Sequence, residues 1–319
     1  FTNKGPNINL FDTGGVRTLT LTGTNTGANT FAIHLTNQGT NTTGIHKSGP
    51  GTWHLANDAN SYTGLTQISG GLLNVSSLSD YGVASAIGAR TAGQESASGN
   101  GIGIWFSAGP AAGTLQYTGD TAQSTNRQIR VSTAGAIIDA SGSNPGATLS
   151  FTHTGANTNL FETGGPRTIT LTGTNTGENT FALQLQNQGT NPTHLTKSGT
   201  GSWHITYAAS GYGGVTTTQG GILNVASFSD YGVNSALANR AQPSDVSTNI
   251  GILFRGGTLQ YTGSTPQSTN RAIRVSTNGG PTIDASGSVP EATLSFTAAN
   301  SPDFFVNSGA RTLALTGTD

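Results

Sequence analysis

The chain has 319 residues, of which 47 are Gly, 33% are hydrophobic and 8% are charged, and its formal net charge is −1. An ordinary globular domain is about 45–50% apolar and about 25% charged, which argues against a single thick globular core here; high net charge marks most disordered chains and is absent too. The near-neutral balance offers no footprint for nucleic acid or an anionic membrane, no apolar run approaches the roughly 18 residues of a membrane helix, and the lack of Cys excludes disulfides, thiolate metal sites and cysteine nucleophiles.

In chain order, the first elements are short alternating runs: 17–22 (RTLTLT), 30–35 (TFAIHL), 71–76 (GLLNVS), 113–117 (GTLQY) and 127–131 (RQIRV). Period two predicts strands with one buried and one wet face. Gly, Asn, Ser and Thr bound each run as turn formers. A helical pattern is visible only at 80–90 and 230–240, where Tyr81, Val83, Ala84 and Ile87 suggest one or two turns. Asp80 would cap them, as Asp is a favoured N-cap.

The run then repeats itself. Residues 1–49 return at 151–199 with an offset of 150 and no gap, and the match continues through Trp53/Trp203, Tyr62/Tyr212, Asp80/Asp230 and Arg90/Arg240. Between Arg90 and Gly113 the first copy carries six extra residues, including Glu95. GTLQYTG and IDASGS then recur at 257–263 and 283–288, and a third copy opens at Phe296. The organisation expected is therefore copy one at 1–150, copy two at 151–295 and the start of a third at 296–319. With no Met and a break inside that copy, an excerpt of a longer array is expected. Short strands, frequent Gly and a thin apolar fraction predict an all-β solenoid, in which neighbouring coils complete a quasi-one-dimensional core. A β-sandwich array would ask for longer strands and more apolar residues.

Two segments carry a family resemblance. Residues 47–75 read KSGPGTWHLANDANSYTGLTQISGGLLNV, and 197–225 read KSGTGSWHITYAASGYGGVTTTQGGILNV. Both resemble the autotransporter-associated β-strand repeat of bacterial passenger domains. The matching positions include Lys47, Gly49, Gly51, Trp53, Tyr62 and Gly71, and in copy two Lys197, Gly199, Gly201, Trp203, Tyr212 and Gly221. The resemblance implies a right-handed parallel β-helix, placed at the bacterial cell surface or beyond it. It implies structural roles for these residues, no catalytic residues and no cofactor.

Candidate sites divide into chemical and structural readings. Asp80 and Asp230 are half of a carboxylate pair or turn residues; Ser77, Ser79 and Gly82 favour the turn. Asp139 and Asp284 fit Asx-turns, and Asp12 and Glu162 exchange type between copies, which speaks against a catalytic carboxylate. His54 and His204 follow a Trp on the opposite strand face; a zinc site would need three or four ligands, and the other histidines do not keep register. Trp53 and Trp203 are sugar platforms or core wedges, and alternation with Leu55 favours the core. Arg127 and Arg130, matched by Arg271 and Arg274, are the densest charges and offer bidentate contacts to acidic glycans, against a solvated strand face. Trp105 stands beside the non-repeated insertion. The Thr run from Thr18 to Thr26 resembles an ice-binding array, but such an array needs one run per coil.

These residues predict a structural segment of a repetitive surface protein that forms a stalk, fibre or filament by stacking of modules. Its partner would be itself, end to end or laterally. An adhesin binding glycans or a host surface is the alternative, and a polysaccharide-active enzyme ranks last because the charges repeat with the copies or sit alone in turns.

Overall fold

The structure is a computed structural model that describes residues 14–92, 102–156, 160–162, 164–241, 250–276, 279–299, 304 and 310–318. Asp12 and Glu95, with residues 93–101 of the insertion, lie outside these. The chain divides into two compact units, Phe1–Gly164 and Gly165–Asp319. The described residues are all-β and contain no helix.

In the first unit, strands β1 (Arg17–Leu21), β3 (Thr43–Lys47), β5 (Thr66–Ile68), β7 (Ile104–Phe106) and β10 (Ile129–Val131) pair in that order as one parallel sheet. The strands between them, β2 (Asn29–Phe31), β4 (Thr52–Leu55), β6 (Leu72–Val75), β8 (Gly113–Tyr117) and β11 (Ala136–Ala140), pair as a second. A short third sheet joins β9 (Gln123–Thr125) to β12 (Leu149–Phe151). Each coil thus gives one strand to each long sheet and lies on the coil before it, which is the solenoid arrangement.

The second unit repeats the plan. Strands β13 (Arg167–Thr172), β15 (Thr193–Lys197), β17 (Thr216–Thr218), β19 (Ile252–Phe254) and β22 (Ile273–Val275) form its first parallel sheet. Strands β14 (Asn179–Phe181), β16 (Ser202–Ile205), β18 (Ile222–Val225), β20 (Thr258–Tyr261), β23 (Thr282–Asp284) and β25 (Ala314–Thr316) form its second. Its third joins β21 (Gln267–Thr269) to β24 (Leu294–Phe296). The first unit ends after Gly164, although the sequence copy restarts at Phe151. The reason is visible in β12: Phe151, the first residue of copy two, is paired to Thr125 of the coil below.

Register explains how so few apolar residues make a core. Leu21, Ile68, Phe106 and Val131 share one inward row, and Leu73, Leu115 and Ile138 share another. Ile68, Leu73, Phe106, Leu115, Val131 and Ile138 are wholly buried. Each side chain packs on the residue one coil away, so every coil needs only a few. Polar rungs continue the stacking where the backbone turns. Asn60, buried, accepts from Leu35 N at 2.8 Å and donates to Ala86 O at 3.0 Å, linking three coils.

Two local expectations are corrected. The run 30–35 is a strand only over Asn29–Phe31, because the chain turns there toward the Asn60 rung. Residues 80–90 form turns and not a helix. Asp80 Oδ1 accepts from Asn126 N of a later coil at 2.7 Å, and Asn126 Oδ1 accepts from Tyr81 N at 2.9 Å. The segment's polar groups are tied to a neighbouring coil, so a local N-cap has nothing to satisfy. Asp230 and Asn270 make the same reciprocal pair at 2.7 and 2.8 Å.

Candidate functional site

Lys47 stands in the apolar row between Leu21 and Ile68 and is wholly buried. Its ammonium turns to the corner and donates to Ser48 O at 2.8 Å, Gly49 O at 2.9 Å and Gly70 O at 3.0 Å. Lys197 repeats this with Ser198 O at 2.6 Å, Gly199 O at 3.3 Å and Gly220 O at 3.0 Å. The glycines let the turns close around it. Gly71 has φ +62°, and a Cβ there would lie 2.4 Å from both Gly49 O and Gly51 O and 2.6 Å from Lys47 Nζ. Trp53 and Trp203 donate from Nε1 to Thr22 O and Thr172 O at 2.9 and 2.8 Å, one coil back. Trp203 is buried and Trp53 half-buried. Tyr62 and Tyr212, fully buried, bond Thr66 Oγ1 and Thr216 Oγ1 at 2.8 Å each. The spacing of the resembling motif is therefore the spacing of one corner through successive coils.

Burial brings the ammonium groups of Lys47 and Lys197 down to about 8 from 10.5. Between those values the unfolded chain holds more protons than the folded one, so stability rises with pH. Above about pH 10 the opposite sets in, because burial raises Tyr62 and Tyr212 and favours their neutral forms. An unfolding free energy, read from denaturant melts, that increases from pH 8 to 9.5 is expected, by at most about 1.4 kcal/mol per pH unit and lysine. The double variant Lys47→Met/Lys197→Met should lose this slope, and an equal slope in both proteins would refute the assignment.

The four arginines separate. Arg127 and Arg271 do not lie on a solvated face: they are 0% and 1% exposed. Arg127 Nη1 donates to Ile87 O at 2.9 Å, and its Nη2 to Gly88 O at 2.7 Å, with longer contacts to Asp80 O and Val83 O. Arg271 donates to Leu237 O, and to Ala238 O at 2.6 Å. Buried guanidiniums hold the turn carbonyls that a helix would have satisfied, so neither is available to a ligand. Arg130 and Arg274 are half-buried on the outer row. Arg130 Cζ lies 5.9 Å from the Trp105 ring centroid, within reach of a cation–π contact. Trp105 Nε1 donates to Glu162 Oε2 at 2.9 Å, and Ala108 N donates to the same oxygen at 3.1 Å. The structure thus joins Arg130 and Trp105 and adds Glu162.

Asp139 and Asp284 tie successive coils, whereas Nε2 of His54 and of His204 is buried without a hydrogen-bond partner among the described residues. Asp139 does not form a backbone Asx-turn: its Oδ2 accepts from Gln116 Nε2 at 2.8 Å and its Oδ1 from Ser141 Oγ at 2.5 Å. Gln116 Oε1 in turn accepts from Asn74 Nδ2 at 2.8 Å, so Asn74, Gln116 and Asp139 form an outer ladder. Asn224, Gln260 and Asp284 repeat it. His54 lies beside this ladder as the register partner of Asn74. Among the described residues no group of three or more His, Cys, Asp or Glu is placed to hold a metal. The Thr run does not stack in the first unit, where Thr20 pairs with His46.

One feature had no sequence signal of its own. The outer face of the first sheet carries a groove of about 450 Å³ lined by Arg17, Thr18, Gly44, Leu65, Gln67 and Arg90, among others.

Parallel coils closed by a lysine and glycines at one corner define a β-solenoid of corner repeats. Residues 45–75 and 195–225 match the family model of the passenger-associated-transport-repeat, and both stretches are repeats of the autotransporter passenger family. The chain is also 35% identical over 270 residues to the adhesin BmaC autotransporter of Brucella suis biovar 1 (strain 1330). That match covers 84% of this chain and 7% of the relative, so the chain spans a small fraction of the protein it resembles. No solved structure matches the chain.

Proposed function

We propose that the chain is a segment of a bacterial cell-surface or extracellular protein of the adhesin type. Its tandem copies, 1–150 and 151–295, would wind a right-handed parallel β-helix and build a stalk, fibre or filament that holds binding surfaces away from the cell. The observation that carries this reading is the corner itself: both passenger repeats fall where a buried lysine locks successive parallel coils. The similarity to an autotransporter adhesin supports the surface placement. Homotypic assembly fits the near-neutral surface, since a net charge of −1 gives little repulsion between copies. A catalytic role has less support, because Asp80, Asp139 and Glu162 each already accept bonds that tie coils together.

Electron microscopy of the native material and of the 319-residue chain tests the assembly, beside adherence of cells whose parent protein lacks 1–295. Filaments with an axial repeat of one or two copies, and reduced adherence on deletion, are expected. Separate short particles would overturn the filament, and undiminished adherence would overturn the adhesive role.

A further inference from the structure

We propose that the outer face of the first unit's first sheet binds an acidic saccharide, with the sugar in the groove at Gly44 and its anionic group on Arg130. The proposal rests on the adhesin-type reading above and names the ligand class and the place.

Register puts Thr20, His46, Gln67, Trp105 and Arg130 side by side on successive coils, about 4.8 Å apart. The same row of the second unit is Thr170, Thr196, Thr217, Leu253 and Arg274. The backbone plan is common to both, so the difference lies in the side chains: His46 Nε2 meets Ser69 Oγ at 2.8 Å, and Gln67 Nε2 donates to Ser107 Oγ at 2.9 Å. His46, Gln67 and Trp105 are a chemical addition to one copy.

The groove adjoins this row through Gln67, which belongs to both. At Gly44, on its wall, a Cβ would lie 2.9 Å from Leu65 O, so the glycine lets the Leu65 backbone of the next coil close in beside the groove. In the second unit His194 occupies that position, and its Nδ1 accepts from Val215 N at 3.0 Å. A volume of about 450 Å³ falls in the range of ligand clefts. Val16, 78% exposed, and Leu65 offer apolar surface to the C–H face of a sugar ring, while Thr18 and Gln67 offer partners for its hydroxyls.

Charge selects the acidic class. Arg17 lines the groove, with its Nη2 donating to Gln38 Oε1 at 2.5 Å, and Arg90 lends its charge from a buried position where it donates to Ile102 O and Thr63 O; Arg130 extends the row. Among the described residues the guanidinium of Arg130 meets only the Trp105 ring, and its Nε is buried without a hydrogen-bond partner. The nearby acid, Glu162, is already held by Trp105 Nε1 and Ala108 N. An arginine without a carboxylate, backed by an aromatic ring, is suited to a planar carboxylate or a sulfate group.

The test is titration calorimetry of the 319-residue chain with three probes: oligogalacturonate (carboxylated), a heparin-derived oligosaccharide (sulfated) and maltoheptaose (neutral). At least one acidic probe should bind, more weakly as salt rises, and the neutral probe should not. Arg130→Gln should lower affinity about tenfold or more, as expected for loss of a charge-assisted hydrogen bond, and Arg274→Gln should leave it within about twofold; Thr18→Trp, which fills the groove from an exposed lining position, should also lower it about tenfold or more. Trp105→Leu, which imports the second unit's residue at that register, should also weaken binding while melting as the parent chain does. Equal binding of the neutral probe, no acidic binding, or wild-type affinity in Arg130→Gln and Thr18→Trp would each overturn the proposal. If cells still adhere through the parent protein while no acidic probe binds, the ligand assignment fails and the adhesin reading stands.

Discussion

Replacing Gly71 by Ala is expected to destabilise the first unit by about 3 kcal/mol or more, the sum of a left-handed backbone cost and overpacking. The left-handed φ of +62° is one part, and the approach of a Cβ to 2.4 Å from two backbone carbonyls is the other. A long side chain could swing aside, but Gly49 O and Gly51 O belong to the coil beneath and are fixed by its own hydrogen bonds. Gly39 separates the two costs, because its φ is +57° and a Cβ there meets nothing within 4 Å. Gly39→Ala should therefore lose only about 1–2 kcal/mol, the backbone part. Hydrogen exchange read separately in each unit checks this, since a chain of several units need not unfold in one step. Faster exchange at β3 through β6 in Gly71→Ala, with the second unit unchanged, is the expected pattern. Equal losses in the two variants would show that the carbonyl contact costs nothing.

Arg127→Met should cost about 2–4 kcal/mol, because buried carbonyls are left without their donor. Methionine keeps much of the volume, so packing is a small part of the change. What is lost is the donor to Ile87 O and Gly88 O, with the longer bonds to Asp80 O and Val83 O. Each charge-assisted bond of this kind is worth about 1.5–3 kcal/mol, partly offset because the charge itself no longer has to be buried. Protease cleavage within 80–90 should accelerate while β1 through β4 remain protected. The conservative Arg127→Lys should recover only part, since one ammonium cannot span carbonyls set around a planar fork. Unchanged melting and cleavage in Arg127→Met would refute the clamp.

The two arginines of 127–131 show where sequence reasoning stopped. Only Ile129–Val131 of the expected run is strand, but an odd spacing along extended backbone still separates the two: Arg127 went inward to turn carbonyls and Arg130 stayed on the outer row. Alternation gives the parity but not the absolute face, and nothing in RQIRV says that a charge is the buried member. The same holds for Lys47. A lysine in an apolar row reads as a breach of the pattern until the corner carbonyls that receive it are in place. Asp80 was legible as a turn residue, but its partner, Asn126, is far along the chain. The pairing depends on how the intervening coil is threaded.

Repetition, period-two alternation, frequent Gly and the lysine–glycine–tryptophan motif by themselves determined that this protein is a β-solenoid of repeated copies and that it resembles passenger repeats. Those are local properties: each is set by backbone geometry and burial within one coil, and repeating them repeats the coil. Only the tertiary structure decided which polar residues join coils, which arginine is buried, and that a groove lies at Gln67, in the row of Trp105 and Arg130. These depend on register between strands that are about twenty to forty residues apart in sequence, and a shift of one residue would turn every side chain to the other face. The corner lysines and glycines fix that register, because their carbonyl partners exist at only one alignment of the coils.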